Sequence, residues 1–132
     1  MRKQMYPAIF SSDGDTGYTV SFPDLLGCVT EGDTLSEAVE MAEDALGIYL
    51  YSLLEDGEAL PEATNPLKLK CNQDEFIDLV KWDEEDYLKR TDTKAVKKTL
   101  TIPGWLNHKA EEKQLNFSQI LQKALKRELE LD

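Results

Sequence analysis

The first third of the chain alternates apolar and polar positions in short runs, separated by turn-forming residues. Apolar residues recur loosely over 4–11, and 18–22 alternates strictly between aromatic or branched side chains and polar ones. The residues between them, 12–17, are rich in Asp, Ser and Gly, which favour tight turns. This pattern predicts a β-hairpin, and residues 28–31 predict a short third strand.

A long amphipathic helix is predicted next. Thr34 and Glu37 have the spacing of a capping box, in which each side chain accepts a hydrogen bond from a backbone amide near the helix start. Apolar residues then recur at helical spacing, with acidic residues on the opposite side. The pattern predicts a helix over 35–55, which Gly57 ends.

The pattern is weaker between the helix and residue 95. We predict strands over 67–70 and 76–82, whereas 83–88 fits either one helical turn or an acidic loop. Residues 89–95 are polar and unpatterned, which is typical of a linker. The predicted organisation is therefore a domain over 1–88, a linker over 89–95 and a second module over 96–132.

The C-terminal module is short and sharply patterned. Residues 96–102 alternate as a strand does, and Pro103 ends that strand and can begin a helix, because its missing amide would be unpaired there. After an interruption at 115–117, Ser118 is predicted to cap a second helix.

Charge divides the chain at about the same place. Residues 1–93 contain 21 acidic and 7 basic side chains, a net charge of −14, whereas residues 94–132 contain 8 basic and 5 acidic ones, a net charge of +3. Such an asymmetry suggests two parts with different partners. The total of −11 therefore does not argue against nucleic-acid binding by the second part.

Other features narrow the class of protein. No apolar run approaches the length of a membrane span, and the first ten residues lack the pattern of a signal peptide, so a cytoplasmic protein is expected. Cys28 and Cys71 lie far apart, which predicts two buried, reduced thiols rather than a disulfide or a metal site. His108 has no second histidine for a metal site and is expected on the surface. Trp82 and Trp105 are expected in a core or an interface, and neither a metal nor a cofactor is expected.

One strand and two helices in fewer than forty residues cannot bury a core alone, and a lone strand leaves its backbone groups unpaired. A second copy solves both problems if the two strands pair antiparallel. This predicts a homodimer through the C-terminal module, and the sequence leaves open whether dimers pair further into tetramers. The resulting two-stranded ribbon fits the major groove of DNA.

Residues 97–129 resemble the ribbon-helix-helix family of DNA-binding proteins. The resemblance is carried by the strand, Pro103, and the runs 105–106, 116–119 and 121–125. It implies that outward strand residues read bases and that the start of the second helix grips a phosphate. The implied DNA-binding residues are Lys97, Thr99, Thr101, Asn116, Ser118 and Gln119. The plain alternative is a strand face that is merely solvated.

The N-terminal part resembles the HicB antitoxin domain. The runs that carry the resemblance are 6–10, 17–28, 30–34, 37–38 and 42–46, and Leu26 stands where the family often has proline. The resemblance implies an α+β protein, with a partial RNase H-like domain of antiparallel strands plus one long helix before the ribbon-helix-helix module. It implies that the protein masks HicA, a small RNA-cleaving toxin of double-stranded-RNA-binding fold, and represses its own operon by binding operator DNA.

The acidic domain suits a basic, RNA-binding partner, because complementary charge speeds encounter. From their positions in loops, we predict Asp24, Glu31 and Asp33 as toxin contacts. The predicted core of this domain consists of Tyr6, Phe10, Tyr18, Val20, Phe22, Leu46, Tyr49 and Val80.

Two other functions are alternatives. A two-metal nuclease would need carboxylate ligands, and the candidates are Asp13, Asp15, Asp24, Glu31 and Asp33. Aspartate is, however, expected in turns between elements for backbone reasons. A stand-alone transcription regulator with a ligand-binding N-terminal domain is the second alternative, and a neighbouring gene for a small basic protein would favour the antitoxin over it.

Overall fold

The computed structural model describes residues 1–131 and divides the chain into two compact units, Met1–Lys94 and the remainder from Ala95. The first unit is a mixed α+β fold with a four-stranded antiparallel sheet. Its elements in chain order are β1 (Lys3–Ser12), β2 (Tyr18–Ser21), β3 (Val29–Gly32), α1 (Leu35–Glu55), a short 3-10 helix (Pro66–Lys68), β4 (Glu75–Asp83) and α2 (Glu84–Thr91).

The strand order in the sheet is β3-β2-β1-β4, so the first strand of the chain lies in the interior of the sheet. Phe10 on β1 lies opposite Val20 on β2 and opposite Phe76 on β4. The rings of Phe10 and Phe76 stack with centroids 4.9 Å apart. Lys3, at the other end of β1, lies opposite Asp83, and their charged groups approach to 3.9 Å.

The core lies between one face of this sheet and α1. Leu46 and Leu50 of the helix are fully buried, and each contributes on the order of 1.5–3 kcal/mol by leaving water. Six of the eight predicted core residues are buried, whereas Tyr18 and Tyr49 are partly buried and pack against the cluster. The buried cluster consists of Tyr6, Ala8, Phe10, Val20, Phe22, Leu25, Cys28, Ala38, Ala42, Leu46, Leu50, Val80 and Trp82.

The helix α1 has the predicted bounds, and the Thr34 half of its predicted capping box is confirmed: Thr34 Oγ1 accepts a hydrogen bond from the Glu37 amide at 3.1 Å. Two glycines allow close packing around it. A Cβ at Gly32 would lie 2.4 Å from the Ala38 amide nitrogen, and a Cβ at Gly47 would lie 2.7 Å from the ring of Tyr87. The start of α1 therefore rests on the end of β3, and α2 packs on its middle.

Two predictions between α1 and the second unit need correction. Residues 67–70 are not a strand, because Pro66 begins a 3-10 turn that the Asn65 side chain caps. For residues 83–88 the helical alternative is confirmed, because Asp83 caps the helix α2, which is longer than the single turn expected. The last turn of α2 occupies residues 89–91 of the predicted linker, so the segment without regular secondary structure begins at Asp92.

The second unit contains α3 (Gly104–Glu112) and α4 (Phe117–Glu128). The strand predicted over 96–102 is not formed within the chain, where residues 92–103 have no regular secondary structure. The physical reason is that a strand is defined by backbone hydrogen bonds to a neighbouring strand. The cap of α4 also differs from the prediction: Asn116, not Ser118, precedes the helix, and its Oδ1 accepts from the Gln119 amide at 3.0 Å.

Candidate functional site

The three acidic residues predicted as toxin contacts lie in two different environments. Asp24 is half-buried, and both of its carboxylate oxygens accept hydrogen bonds from Thr64, one from the amide at 2.9 Å and one from the hydroxyl. Glu31, on β3, and Asp33, just before the cap of α1, are exposed. The structure therefore uses Asp24 to hold the chain after α1, and it leaves Glu31 and Asp33 facing solvent.

The same segment after α1 is held by a second bond. The hydroxyl of Tyr6, which is fully buried, donates to the Pro61 carbonyl oxygen. Burial and the negative charge of Asp24 raise the pKa of Tyr6 above its ordinary value. The irregular segment after α1 is thus held against the rest of the first unit by Tyr6 and by the contact between Asp24 and Thr64. The spacing of these residues in the sequence does not predict this role.

The two cysteines differ, and the prediction of two buried thiols is wrong for one of them. Cys28 is buried, its Sγ lies 3.8 Å from the Ala45 carbonyl oxygen, and burial raises the pKa of its thiol. Cys71 is exposed because it lies in the loop before β4 rather than in an element.

The end of the same loop is fixed by Glu75. Its carboxylate accepts hydrogen bonds from the Asn72 amide and the Ser11 hydroxyl. These two bonds lower the pKa of Glu75. Glu75 is therefore engaged within the fold.

The predicted base-reading residues Lys97, Thr99 and Thr101 are exposed, in the segment without regular structure. The other three predicted DNA contacts lie together at the start of α4. Besides the cap by Asn116, the Ser118 hydroxyl accepts a hydrogen bond from the Gln122 side-chain amide at 3.2 Å. The structure thus gathers Asn116, Ser118 and Gln119 at the positive end of one helix dipole.

The second unit exposes most of its apolar residues. Among residues 95–131, no side chain is buried, and Trp105 is 65% exposed. Leu106, Ala110 and Leu115 line a shallow cleft that is bordered by two lysines. The exposed large apolar residues of this unit are Val96, Leu100, Ile102, Trp105, Leu106, Leu115, Phe117, Ile120, Leu125, Leu129 and Leu131.

Three further observations concern other kinds of site. His108 is exposed on α3, as predicted. Within residues 1–131, no group of three or more His, Cys, Asp or Glu side chains is placed to hold a metal ion. In the same part of the chain, no helix combines the length and apolar character that crossing a membrane requires.

Comparison with known proteins extends over nearly the whole chain. The model of the HicB-like antitoxin family of bacterial toxin–antitoxin systems matches residues 6–124. An uncharacterized 14.9 kDa protein of Haemophilus phage HP1 is 37% identical over 108 residues, which is 82% of this chain and 80% of that protein. Antitoxin HicB of Escherichia coli K12 is 36% identical over 74 residues, which is 56% of this chain and 51% of the antitoxin.

Solved structures agree with the sequence matches. A chain of a toxin–antitoxin complex from Streptococcus pneumoniae superposes with a TM-score of 0.60 at 32% identity, covering 96% of this chain and 99% of that one. The antitoxin HicB of Burkholderia pseudomallei is 22% identical, with a TM-score of 0.55 and coverage of 92% and 96%, and so shares the fold. With a family model and a relative that each span most of its length, this chain belongs to the HicB-like antitoxins of bacterial toxin–antitoxin systems.

Proposed function

We propose that the protein neutralises a HicA-type, RNA-cleaving toxin with its first unit and represses its own operon by binding operator DNA with its second. In this proposal the first unit is a partial RNase H-like domain and the second is a ribbon-helix-helix module. The neutralising domain extends through α2 to Thr91, because Tyr87 of that helix packs against Gly47 of α1.

The observation that carries the proposal is the contrast between the two units. The first has a closed core of fully buried side chains, whereas the second, from Ala95 on, leaves its apolar residues exposed. An exposed apolar surface on so small a unit is unfavourable in water unless another molecule covers it. A second copy of the unit covers it in a ribbon-helix-helix dimer, and the pairing of two segments 96–102 would supply the missing strand hydrogen bonds.

Charge supports the division of roles. The acidic first part, with a net charge of −14 over residues 1–93, suits a partner whose own surface is basic enough to hold RNA. Glu31 and Asp33 are exposed and remain the proposed toxin contacts, whereas the carboxylate of Asp24 is engaged with Thr64. The mildly basic second part suits DNA, whose phosphates dominate binding affinity.

In the proposed repressor, the six DNA-binding residues have two tasks. Lys97, Thr99 and Thr101 would face the major groove from the ribbon, where threonine can bond to base edges and contact the thymine methyl group. Asn116, Ser118 and Gln119 would place the first amides of α4 against a phosphate, which a helix N-terminus favours.

A growth-rescue assay tests neutralisation. The fragment 1–94, produced at the level of the co-expressed toxin, should restore growth as the full chain does, because it contains the complete core of the first unit. The fragment from residue 95 onward is the control and should not rescue. If fragment 1–94 is folded and abundant but does not rescue, neutralisation requires the second unit and this part of the proposal fails.

Sedimentation analysis of the same fragments tests the dimer. The full chain should dimerise, whereas fragment 1–94 should lose most of its self-association. Equal dimerisation by both would place the interface in the first unit.

A gel-shift assay with operator DNA tests the second unit. Replacing Thr99 and Thr101 by alanine should weaken specific binding by on the order of 1–3 kcal/mol for each lost base contact. Thr19→Ala, at an exposed threonine of β2, is the matched control and should leave binding unchanged. An unaltered sequence preference in the double variant would exclude the ribbon as the reader.

A further inference from the structure

The outer side of α1 carries an unusual combination of side chains. Ala38, Ala42, Leu46 and Leu50 face the core, so the residues about half a turn away face solvent. We call these residues the α1 outer stripe, and they are Glu37, Glu40, Met41, Asp44 and Ile48, all exposed.

The charges of the stripe repel one another. Glu40 lies three residues after Glu37 and four before Asp44, and such like-charged neighbours destabilise a helix by about 0.2–0.5 kcal/mol each. The helix dipole offsets this cost only in the first turn, where Glu37 lies. Helix α1 has five acidic residues and no basic one, and the approach of Arg90 to Asp44, at 3.7 Å between two side chains about 60% exposed, contributes little.

The apolar members of the stripe add to the cost. Ile48 is 64% exposed and Met41 is 40% exposed, one turn to either side of Asp44. A β-branched residue such as Ile48 is also a poorer helix former than alanine, so helix propensity does not explain its presence. Scattered apolar residues are normal on a surface, but here they are interleaved on one helix face with acids of which, within residues 1–131, only Asp44 has a basic side chain within 4 Å.

We propose that the α1 outer stripe is the surface on which this antitoxin receives its toxin. The occupant is a basic protein surface with an apolar recess that takes Ile48, so that one contact both neutralises the acids and buries the exposed side chain. This inference rests on the proposed function and specifies where on the first unit the toxin binds. It keeps Asp33, which precedes the cap of α1, as a contact and replaces Glu31, which shares the sheet face of Val29.

Another exposed apolar area of this unit, on the sheet face away from α1, fits a basic partner less well. Val29 of β3 is 59% exposed there, but the charged residues of this sheet face have both signs, since Lys3 and Lys81 lie on it with Glu31, Glu75 and Asp83. Lys3 pairs with Asp83, and the carboxylate of Glu75 is engaged by Ser11. Charge complementarity therefore favours the α1 outer stripe.

Binding measurements with two matched variants of the full chain test the proposal. The probe is a HicA-type toxin encoded beside the antitoxin gene, inactivated by substitution so that it can be produced. Ile48→Lys should raise the Kd at least tenfold, because it places a positive charge against a basic surface and removes the buried side chain. Val29→Lys, at a similarly exposed branched residue on the sheet face, should change the Kd less than twofold.

Both substitutions are at exposed positions, and circular dichroism verifies that both variants are folded. If Val29→Lys weakens binding and Ile48→Lys does not, the toxin binds the sheet face and the proposal is overturned. If the unsubstituted chain does not bind the probe, the proposed function itself fails. These two failures are therefore distinguishable.

A second pair of variants separates this face from the total charge. Glu40→Gln with Asp44→Asn, and Asp13→Asn with Asp15→Asn in the β1–β2 turn, each remove two negative charges from exposed residues. At low salt the α1 pair should slow association several-fold and reduce its salt dependence, whereas the turn pair should have a clearly smaller effect. Equal effects would mean that only net charge matters, and would count against the α1 outer stripe.

Discussion

Replacing Gly32 by alanine should strongly destabilise the first unit. Gly32 is buried at the end of β3, where the chain turns into α1. An added Cβ would lie 2.4 and 2.7 Å from the amide nitrogen and Cα of Ala38, and 2.8 Å from the carbonyl carbon of Glu37. All three are backbone atoms, so a side-chain rotation cannot relieve the overlap, and the start of α1 must move.

The expected loss is at the upper end of the range for overpacked sites, about 3 kcal/mol. For a domain of this size, about 4–8 °C of thermal midpoint corresponds to each kcal/mol, so the midpoint should fall by about 12–24 °C. The suitable assay is urea denaturation followed by the fluorescence of the buried Trp82, in a Trp105→Phe background that removes the exposed indole. Fluorescence then reports only the unit that contains Gly32.

Gly104→Ala is the matched control for this substitution. A Cβ at Gly104, the first residue of α3, would have no heavy atom within 4 Å. It should leave the unfolding of the first unit unchanged and, by its higher helix propensity, stabilise α3 by up to about 1 kcal/mol. A Gly32→Ala protein whose stability lies within about 0.5 kcal/mol of the parent would refute the argument from backbone contact.

Three other predictions concern the first unit. In the native chain at neutral pH, Cys71 should react rapidly with a thiol reagent, whereas Cys28 should react only after unfolding. Cys28 differs because it is buried and the pKa of its thiol is raised. Mass spectrometry of the labelled peptides measures the two reactions. The pKa of Tyr6 is raised above 10.0 in the folded state, so above pH 10 the folded chain keeps a proton that the unfolded chain loses. Stability should therefore be fully present below pH 10 and fall as the pH rises towards the raised pKa. A Tyr6→Phe variant, compared with the parent by urea titration, should lack this loss of stability at alkaline pH. Thr64→Val should cost about 1–3 kcal/mol through the lost hydroxyl bond to the Asp24 carboxylate, and an unchanged urea midpoint would contradict that role.

Strong local patterns identified most of the first unit. The capping residue Thr34 and the spacing of alanines and leucines indicate the bounds of α1. Strict alternation locates β2, and less regular apolar runs locate the other three strands. The strand predicted over 67–70 is wrong because Pro66 imposes a turn on a run that alternates between leucine and lysine. The predicted burial of Cys71 is wrong because a residue in a loop can be exposed even when its side chain is apolar.

The candidate site was less predictable because it depends on contacts between distant segments. The bond between Asp24 and Thr64 joins residues 40 positions apart, and so a carboxylate predicted to face a partner instead supports the fold. The exposure of Ile48 emerges only when the packed side of α1 is known. For the second unit, the strand over 96–102 remains a prediction, since in the proposed dimer its hydrogen-bonding partner would belong to another copy.

The place of β1 in the sheet has a consequence for the newly synthesised protein. Its neighbour β4 is encoded some 80 residues later, as the pairing of Lys3 with Asp83 shows, so the sheet cannot close until that distance has been translated. At about 5–20 residues per second this takes about 4–16 s. Contacts so far apart in sequence also form slowly, whereas the helices α3 and α4 depend on local contacts. Any chain interrupted before residue 83 therefore lacks all or part of β4 and cannot complete the sheet against which α1 packs, even when α1 itself has been synthesised.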